Sequence, residues 1–295
     1  MTAPRQVLAG TTYLVTRRCA QRQFLLRPSQ VTTSVFRYLL ALAAGRSGVQ
    51  VHAYCVLSNH YHLVVSDPQA RLPAFQQLLD ALVARAVNAA LGRWESFWAP
   101  DSYSAVALPT PADVVDKVAY VLANPVAAGL VRTGRAWPGL WSSPEAMGAG
   151  PEEVRRPEHF FDPKGGLPGE VPLELGVPPG FGSVEAYREQ VRSALAEHEG
   201  RAVRKAKGAF LGVGGVLRQA PQGRPRKGAT RRGLNPRAAG WDKWKRVEVL
   251  GRLREFLQAY REAWAARKAG KAGAVFPAGT YLLRVVHGVP CVGFG

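Results

Sequence analysis

Short runs of alternating or β-branched apolar residues recur through the first half of the chain and predict strands. Between these runs, apolar residues spaced three to four positions apart predict helices. The predicted strands are residues 10–16, 48–57, 60–65 and 103–108, and the predicted helices are residues 33–45, 72–91 and 113–123, the last one closed by Pro125. The order β, α, β, β, α, β, α favours a ferredoxin-like α+β fold, in which an antiparallel sheet carries helices on one face.

The composition changes after residue 145, where Pro and Gly become frequent. Such a stretch is typical of a linker. Beyond it, the apolar spacing predicts helices at residues 184–199 and 241–268 and a terminal strand at residues 275–286. We therefore expect three parts: a folded domain at residues 1–145, a linker at 146–183 and a basic C-terminal region at 184–295.

The chain is strongly basic, which narrows the class of partner. Its 295 residues include 39 Lys and Arg against 21 Asp and Glu, a formal net charge of +18. This charge favours nucleic acid as the partner. A membrane is not expected, because no apolar run is long enough to span a bilayer. The amino terminus lacks the apolar stretch of a secretory signal and the three cysteines are far apart, so a cytoplasmic, nucleoid-associated protein without a disulfide framework is expected.

Most of the charge lies in one segment. Residues 201–246 contain fourteen basic residues against one acid, Asp242. The middle of this segment has few apolar residues and predicts an arm that becomes ordered on phosphate backbones. A solubilising basic linker is the alternative interpretation. The predicted DNA-binding residues are Arg224, Arg226, Lys227, Arg231 and Arg232.

Two histidines in one predicted strand form the first candidate site. Side chains alternate between the faces of a strand, so His60 and His62 point to the same side and can bind one metal ion. Mn, Zn or Fe suits two neutral imidazoles, and Mg is also suitable where the site bridges to phosphate. Ordinary surface or core histidines are the alternative. A zinc site that adds His52 and Cys55 is less favoured, because these two residues face opposite sides of a regular strand.

A tyrosine on the predicted helix 113–123 forms the second candidate. The helical periodicity groups Val114, Val115, Val118, Val121 and Leu122 into one apolar sector that must face the sheet. Tyr120 falls on the other side with Asp113, Lys117 and Asn124. Asn124 follows Tyr120 by one turn, so the two side chains can approach one point. An amphipathic surface tyrosine is the alternative interpretation.

Together these motifs resemble a known family. His60-Tyr61-His62 resembles the motif of HUH endonucleases, a hydrophobic residue between two histidines. Residues 119–131, followed by Trp141-Ser-Ser143, resemble the catalytic-tyrosine helix of REP-associated tyrosine transposases, which are bacterial relatives of single-tyrosine insertion-sequence transposases. The resemblance runs from about residue 13 to residue 143, and both motifs occur in the family's order and spacing.

The resemblance implies a metal-dependent DNA transposase. His60, His62 and Asn124 would bind a divalent metal, Mg or Mn, and Tyr120 would attack a DNA phosphate to give a 5'-phosphotyrosine. Single-stranded or hairpin DNA is the implied partner, a homodimer is a further candidate assembly, and Tyr120 could act within its own subunit or across the dimer. Lys117 is a supporting candidate, since a cation near Tyr120 favours loss of the phenol proton.

Two positions depart from the family pattern. Ser58 stands where proline is common, and Tyr61 stands where an aliphatic residue is usual, which puts the geometry of the site in question more than its chemistry. The basic C-terminal half lies outside the resemblance. The alternative function is a catalytically inactive, domesticated transposase-derived protein that binds nucleic acid.

Overall fold

The computed structural model describes residues 4–100, 103–158, 161–162, 164–225, 236–271 and 273–293. Its centre is a four-stranded sheet in the order β2-β3-β1-β4, in which every neighbouring pair is antiparallel. The strands are β1 (Thr11–Arg18), β2 (Gln50–Leu57), β3 (His60–Asp67) and β4 (Ser104–Ala107). The predicted α+β class with an antiparallel sheet is confirmed.

Helices cover both faces of this sheet. α1 (Gln30–Ser47) and α2 (Leu72–Ala90) lie on the face of Tyr61, which contacts Phe36 and bonds to Asp80. α3 (Pro111–Ala127) lies on the opposite face, where Asn124 contacts His62. The prediction that all the helices lie on one face is wrong for α3. Its apolar sector packs against the face of the sheet that carries the histidines.

Local signals explain most helix boundaries. The Ser29 side chain accepts the backbone N–H of Thr32 and so caps the start of α1, four to five residues before the predicted caps, Thr33 or Ser34. Thr110 caps α3 in the same way. The predicted end of α3 at Pro125 is wrong, because the helix continues through this proline to Ala127. The buried Val121, Leu122 and Val126 hold the last turn in the core despite the missing N–H.

The segment predicted as a linker contains a hairpin. It consists of β5 (Glu152–Arg155) and β6 (Glu170–Leu173), and it packs on α1. The Tyr38 hydroxyl donates to the carbonyl of Pro168 at 2.6 Å. Val154 and Leu173 are buried in the same core as the sheet. Residues on both sides of residue 145 contribute to this core. The division of the chain at residue 145 stays a prediction.

The C-terminal region is helical. It contains α4 (Val184–Ala206), which packs on α3, then α5 (Gly212–Leu217), α6 (Lys243–Lys268) and α7 (Leu282–His287). The predicted strand at residues 275–286 is wrong, because most of its second half forms α7. A second small core gathers Ala263, Phe276, Leu283, Val289 and Cys291. Within the described residues, the structure contains no helix that is long and apolar enough to cross a membrane.

Candidate active site

A tight turn between β2 and β3 positions the two histidines. Leu57 pairs with His60 and Cys55 pairs with His62 across the hairpin, so both imidazoles project from the face that α3 covers. Their ring centroids are 4.8 Å apart, and His62 is 5% exposed. The predicted same-face pair is therefore present, with the two rings in contact.

Neighbouring polar groups fix both rings. His62 Nδ1 lies 2.7 Å from Thr16 Oγ1, and His60 Nδ1 lies 2.7 Å from Asn59 Oδ1. Each Nδ1 atom is thereby occupied, which leaves the Nε2 atom of each ring for other partners. Burial lowers the pKa of His60 to about 4, and burial together with the charges of His60 and Arg18 lowers the pKa of His62 well below its ordinary value. Both imidazoles are therefore neutral near pH 7, as metal ligands must be.

α3 brings Asn124 and Tyr120 to the same place. The Asn124 amide Nδ2 is 3.2 Å from His62 Nε2, and the side chain also bonds to His60. The ring centroid of Tyr120 lies 5.5 Å from that of His62. The predicted apolar sector of α3 is buried against the sheet, and Tyr120, on the other side of the helix, is 37% exposed. Asn124 is buried. The structure thus unites the four residues that the sequence singled out.

Lys117 lies beside the tyrosine and belongs to a short chain of charged groups. Its ammonium is 5.9 Å from the Tyr120 ring centroid and 2.7 Å from Asp116 Oδ2. The other oxygen of Asp116 accepts His198 Nε2 at 2.9 Å. The hydrogen bond from His198 and the neighbouring Lys117 lower the pKa of Asp116 to about 2, against the effect of partial burial. Asp116 is therefore a carboxylate that holds Lys117 near the phenol.

Sequence reasoning missed Asp116 and His198. Asp116 precedes Tyr120 by four residues, so helical spacing was a signal that could have placed it near the phenol. His198 lies on α4, 82 residues from Asp116, and no local pattern connects the two. The C-terminal region thus contributes His198 to the charged groups around Lys117.

The donor set fits a divalent cation with open coordination positions. His62 Nε2 lies 3.2 Å from the Asn124 amide, which also bonds to the His60 side chain, and rotation of this amide about its last bond presents Oδ1 in place of Nδ2. Across the part of the chain that the structure describes, no group of three or more His, Cys, Asp and Glu side chains is arranged to hold a metal. A cation held here therefore depends on the amide oxygen and on oxygen atoms from outside the chain.

The alternative zinc site with His52 and Cys55 is not formed, because His52 lies too far from His60 and His62. The expected reason, that His52 and Cys55 face opposite sides of the strand, does not hold. A bulge at His52 shifts the register of β2, and His52 Nε2 contacts Ser66 Oγ at 2.7 Å on the face of His62. Its Nδ1 contacts the carbonyl of Gly176, also at 2.7 Å. Ser66 lies four residues beyond His62 on β3, about 14 Å away. Both nitrogens of His52 are occupied far from the histidine pair.

The two departures from the family pattern are accommodated by specific partners. Tyr61 is buried on the opposite face, where its hydroxyl donates to Asp80 Oδ1 at 2.6 Å. Ser58 donates to Gln219 Oε1 at 2.6 Å, which ties the histidine turn to the segment after α5. Neither side chain enters the space between His60, His62 and Tyr120.

The predicted DNA-binding arm is described only in part. Arg224 is exposed, whereas Arg226, Lys227, Arg231 and Arg232 lie outside the described residues. The described chain on either side is attached to the sheet domain. Gly223 accepts the backbone N–H of Phe24 at 2.9 Å, and Ala107 donates its N–H to Arg237 at 3.0 Å. Gly223 and Arg237 are therefore each attached to the sheet domain through a backbone hydrogen bond.

Comparisons with known proteins give likeness only at the level of structure. No protein-family model matches the chain, and no curated protein is found to be similar to it. The structure is similar to that of a REP-associated tyrosine transposase bound to a REP hairpin, with a TM-score of 0.38 and 20% identity over 47% of this chain and 81% of that chain. It is also similar to a crystal structure of a candidate transposase from Deinococcus radiodurans R1, with a TM-score of 0.29 and 20% identity over 36% of this chain and 85% of that chain.

Proposed function

We propose that the chain is a metal-dependent DNA transposase that nicks single-stranded DNA with Tyr120 as its nucleophile. The observation that carries this proposal is the convergence of His60, His62 and Asn124 from two elements on one point beside a half-exposed tyrosine. Each of these side chains has an ordinary explanation alone. Their convergence beside an accessible phenol is what a nicking centre requires.

The histidines and the asparagine form the proposed metal site. A bound Mg²⁺ or Mn²⁺ supplies positive charge that polarises the scissile phosphate and favours in-line displacement. Thr16 and Asn59 orient the rings of His62 and His60 through their Nδ1 atoms. This support keeps both Nε2 lone pairs directed at one point, as the outer partners of metal-bound histidines do in other proteins.

Tyr120 supplies the covalent chemistry. Its phenol loses a proton as its oxygen forms a bond to phosphorus, the bond from phosphorus to the 3' oxygen breaks, and the 3' oxygen takes up a proton to leave as a hydroxyl. The product is a 5'-phosphotyrosine, and attack by another 3'-hydroxyl reverses the step without further energy input. The Lys117 ammonium, paired with the Asp116 carboxylate that His198 in turn contacts, stabilises negative charge that develops on the phenol oxygen.

Charge and exposed aromatic surface favour DNA as the substrate. The excess of basic residues neutralises phosphates, and the exposed Arg224 lies next to Gly223, which is bonded to the backbone of Phe24. Trp94 is 88% exposed, so its ring is available to stack on an unpaired base. Phe97 and Trp98 are buried and belong to the core. Hairpin DNA with a single-stranded flank presents both a duplex backbone and unpaired bases.

The test is a search for the covalent adduct. The protein is incubated with end-labelled hairpin DNA that carries single-stranded flanks, with Mn²⁺ or Mg²⁺, and the products are separated after denaturation. We expect an adduct with the wild-type chain and with Tyr281→Phe, and none with Tyr120→Phe. An adduct that persists in Tyr120→Phe would refute the role of this tyrosine.

The metal site is tested in the same assay. His62→Ala and Asn124→Ala are expected to abolish the adduct but to retain DNA affinity, since the phosphate contacts come from elsewhere. A chelator should abolish it and added Mn²⁺ should restore it. If the wild-type chain binds DNA with a steep salt dependence and forms no adduct under any condition, the protein is a non-catalytic nucleic-acid-binding protein.

A further inference from the structure

A cavity lies at the end of the sheet away from the histidines. Its volume is about 370 Å³, within the range of pockets that bind small ligands. Thr11 and Thr12 of β1 line it, and Thr12 precedes Thr16 by four residues, about 14 Å along the strand. The cavity is therefore separate from the site of His62, although both adjoin β1 and α3.

The walls of the cavity are largely apolar. They come from the amino-terminal segment, the end of β4, the first turn of α3 and the inner side of α6. The apolar residues that line it include Leu8, Leu108, Val114, Val249 and Leu253. A flat aromatic group placed here would be covered on several sides by apolar atoms, which favours its removal from water.

Two arginines stand at the same cavity. The Arg5 guanidinium lies 3.8 Å from the Tyr103 ring centroid and donates to the Tyr103 carbonyl at 2.6 Å, so its position is fixed. Arg237 is half-buried nearby, and burial together with the charge of Arg5 lowers its pKa. Two like charges held together in a partly desolvated place repel each other. An anion between them removes this repulsion.

The surroundings add positive potential. Lys245 and Arg252 of α6 line the cavity, and Glu248 pairs with both at 3.4 and 3.7 Å, so one of their two charges is left uncompensated. For Arg237, the described part of the chain supplies neither an ion pair nor a hydrogen bond to the guanidinium. The first turn of α3 also lines the cavity through Thr110 and Pro111, but it adds no free positive potential, because the Asp113 carboxylate of the same turn accepts the Thr110 hydroxyl and the Trp241 N–H.

We propose that this cavity binds one nucleotide of the DNA, with its phosphate between Arg237 and Arg5 and its base among the apolar walls. The assignment of the nucleotide to a DNA strand rests on the proposed function. The cavity itself would recognise any nucleoside 5'-phosphate. A nucleotide held here would lie along α3 from Tyr120 and would fix how the strand enters the nicking site. The cavity is then a position at which an unpaired base is read.

The first test measures binding of deoxynucleoside monophosphates by titration calorimetry. We expect dAMP or another monophosphate to bind the wild-type chain, and Arg237→Gln to weaken binding about tenfold, as loss of a charged hydrogen bond does. Arg254→Gln is the matched control, since Arg254 is exposed on α6 and removes the same charge outside the cavity. Equal weakening in both variants would overturn the site, as would an absence of binding.

Further ligands define the chemistry and its source. Inorganic phosphate should bind much more weakly than the monophosphates, and equal affinity would overturn the role of the base. An oligonucleotide with one abasic position, moved stepwise along the flank, should lose affinity at a single position when the cavity reads a strand. If monophosphates bind but every abasic position is equivalent, the cavity takes a free nucleotide and the assignment to the DNA strand is wrong.

The nicking assay separates this inference from the proposed function. Arg237→Gln retains His60, His62, Asn124 and Tyr120, so it should still form the covalent adduct, with less discrimination among flanking sequences. A chain that binds monophosphates through Arg237 but never forms an adduct would refute the proposed function alone. An adduct whose yield and sequence preference are the same in Arg237→Gln and wild type would refute the cavity's role alone.

Discussion

The buried carboxyl group of Asp80 gives a prediction about pH that follows from two opposing forces. Asp80 accepts the Tyr61 hydroxyl at 2.6 Å and lies 3.5 Å from Arg17 Nε, and its side chain is 15% exposed. Burial raises the pKa of Asp80, whereas the Tyr61 hydrogen bond and the Arg17 charge lower it. Burial is the largest effect, and the resulting pKa is about 6, against an ordinary value of 3.8.

The sign of the effect follows from proton binding. Because the folded chain binds this proton more tightly than the unfolded chain, the stabilising contribution is full below pH 3.8 and is lost as the pH rises through 6. A shift of about two pKa units corresponds to about 3 kcal/mol, at about 1.4 kcal/mol per unit. Asp80→Asn removes the titration and keeps the size of the side chain. The stability of wild type relative to Asp80→Asn should therefore fall by about 2.5 kcal/mol between pH 4 and pH 7.5, since pH 4 lies just above the unfolded pKa.

Urea unfolding followed by tryptophan fluorescence measures this difference. Wild type and Asp80→Asn are unfolded at four pH values between 4 and 7.5, and the denaturant slope is compared to confirm that both chains unfold alike. A difference that stays constant within about 0.5 kcal/mol would refute the shifted pKa. A difference that grows in favour of wild type with rising pH would show that the attraction of Arg17 exceeds the effect of burial.

Three further predictions concern the attachments around the site. Asp113→Ala removes the acceptor of the Thr110 hydroxyl and of the Trp241 N–H, and should lower the free energy of unfolding by about 2–4 kcal/mol in urea; no change would refute this anchor. His198→Ala should slow adduct formation about tenfold at unchanged DNA affinity, and His198→Gln, which keeps a donor, should be slowed less. Trp94→Ala should weaken binding of single-stranded DNA by about 1–3 kcal/mol without altering stability in urea. A loss of stability in Trp94→Ala would place this side chain in the core instead.

Local patterns predicted the parts of the fold that depend on local chemistry. Alternation of apolar residues located β1 to β4 to within a few residues, and helical periodicity located the buried side of α3. The same reasoning placed Tyr120 away from the sheet and Asn124 one turn beyond it, which the structure also has. It failed at Pro125, since it treated the restriction that proline places on the preceding residue as decisive, although tertiary packing of the last turn outweighs it.

Features that depend on distant residues could not be predicted in this way. The bulge at His52 reverses the face expected from counting along β2, and nothing in the local sequence marks it. The valines of residues 275–286 favoured a strand, but Leu283 packs into the small core beside Phe276 and the segment becomes helical. Two other features join residues far apart in the chain and so required the folded structure. They are the contact between Asp116 and His198 and the proximity of the like charges of Arg5 and Arg237.

The long-range attachments of the site also set the order in which it can be assembled during translation. Ser58 and Gln219 are separated by 161 residues, and Asp113 and Trp241 by 128. Because synthesis proceeds from the amino terminus, a nascent chain that has reached residue 145 contains both histidines and Tyr120 but neither Gln219 nor Trp241. The turn that carries the histidines and the helix that carries the nucleophile therefore receive these two partners only after residues 219 and 241 have been synthesised. Synthesis of the reactive residues thus precedes completion of the contacts around the candidate active site.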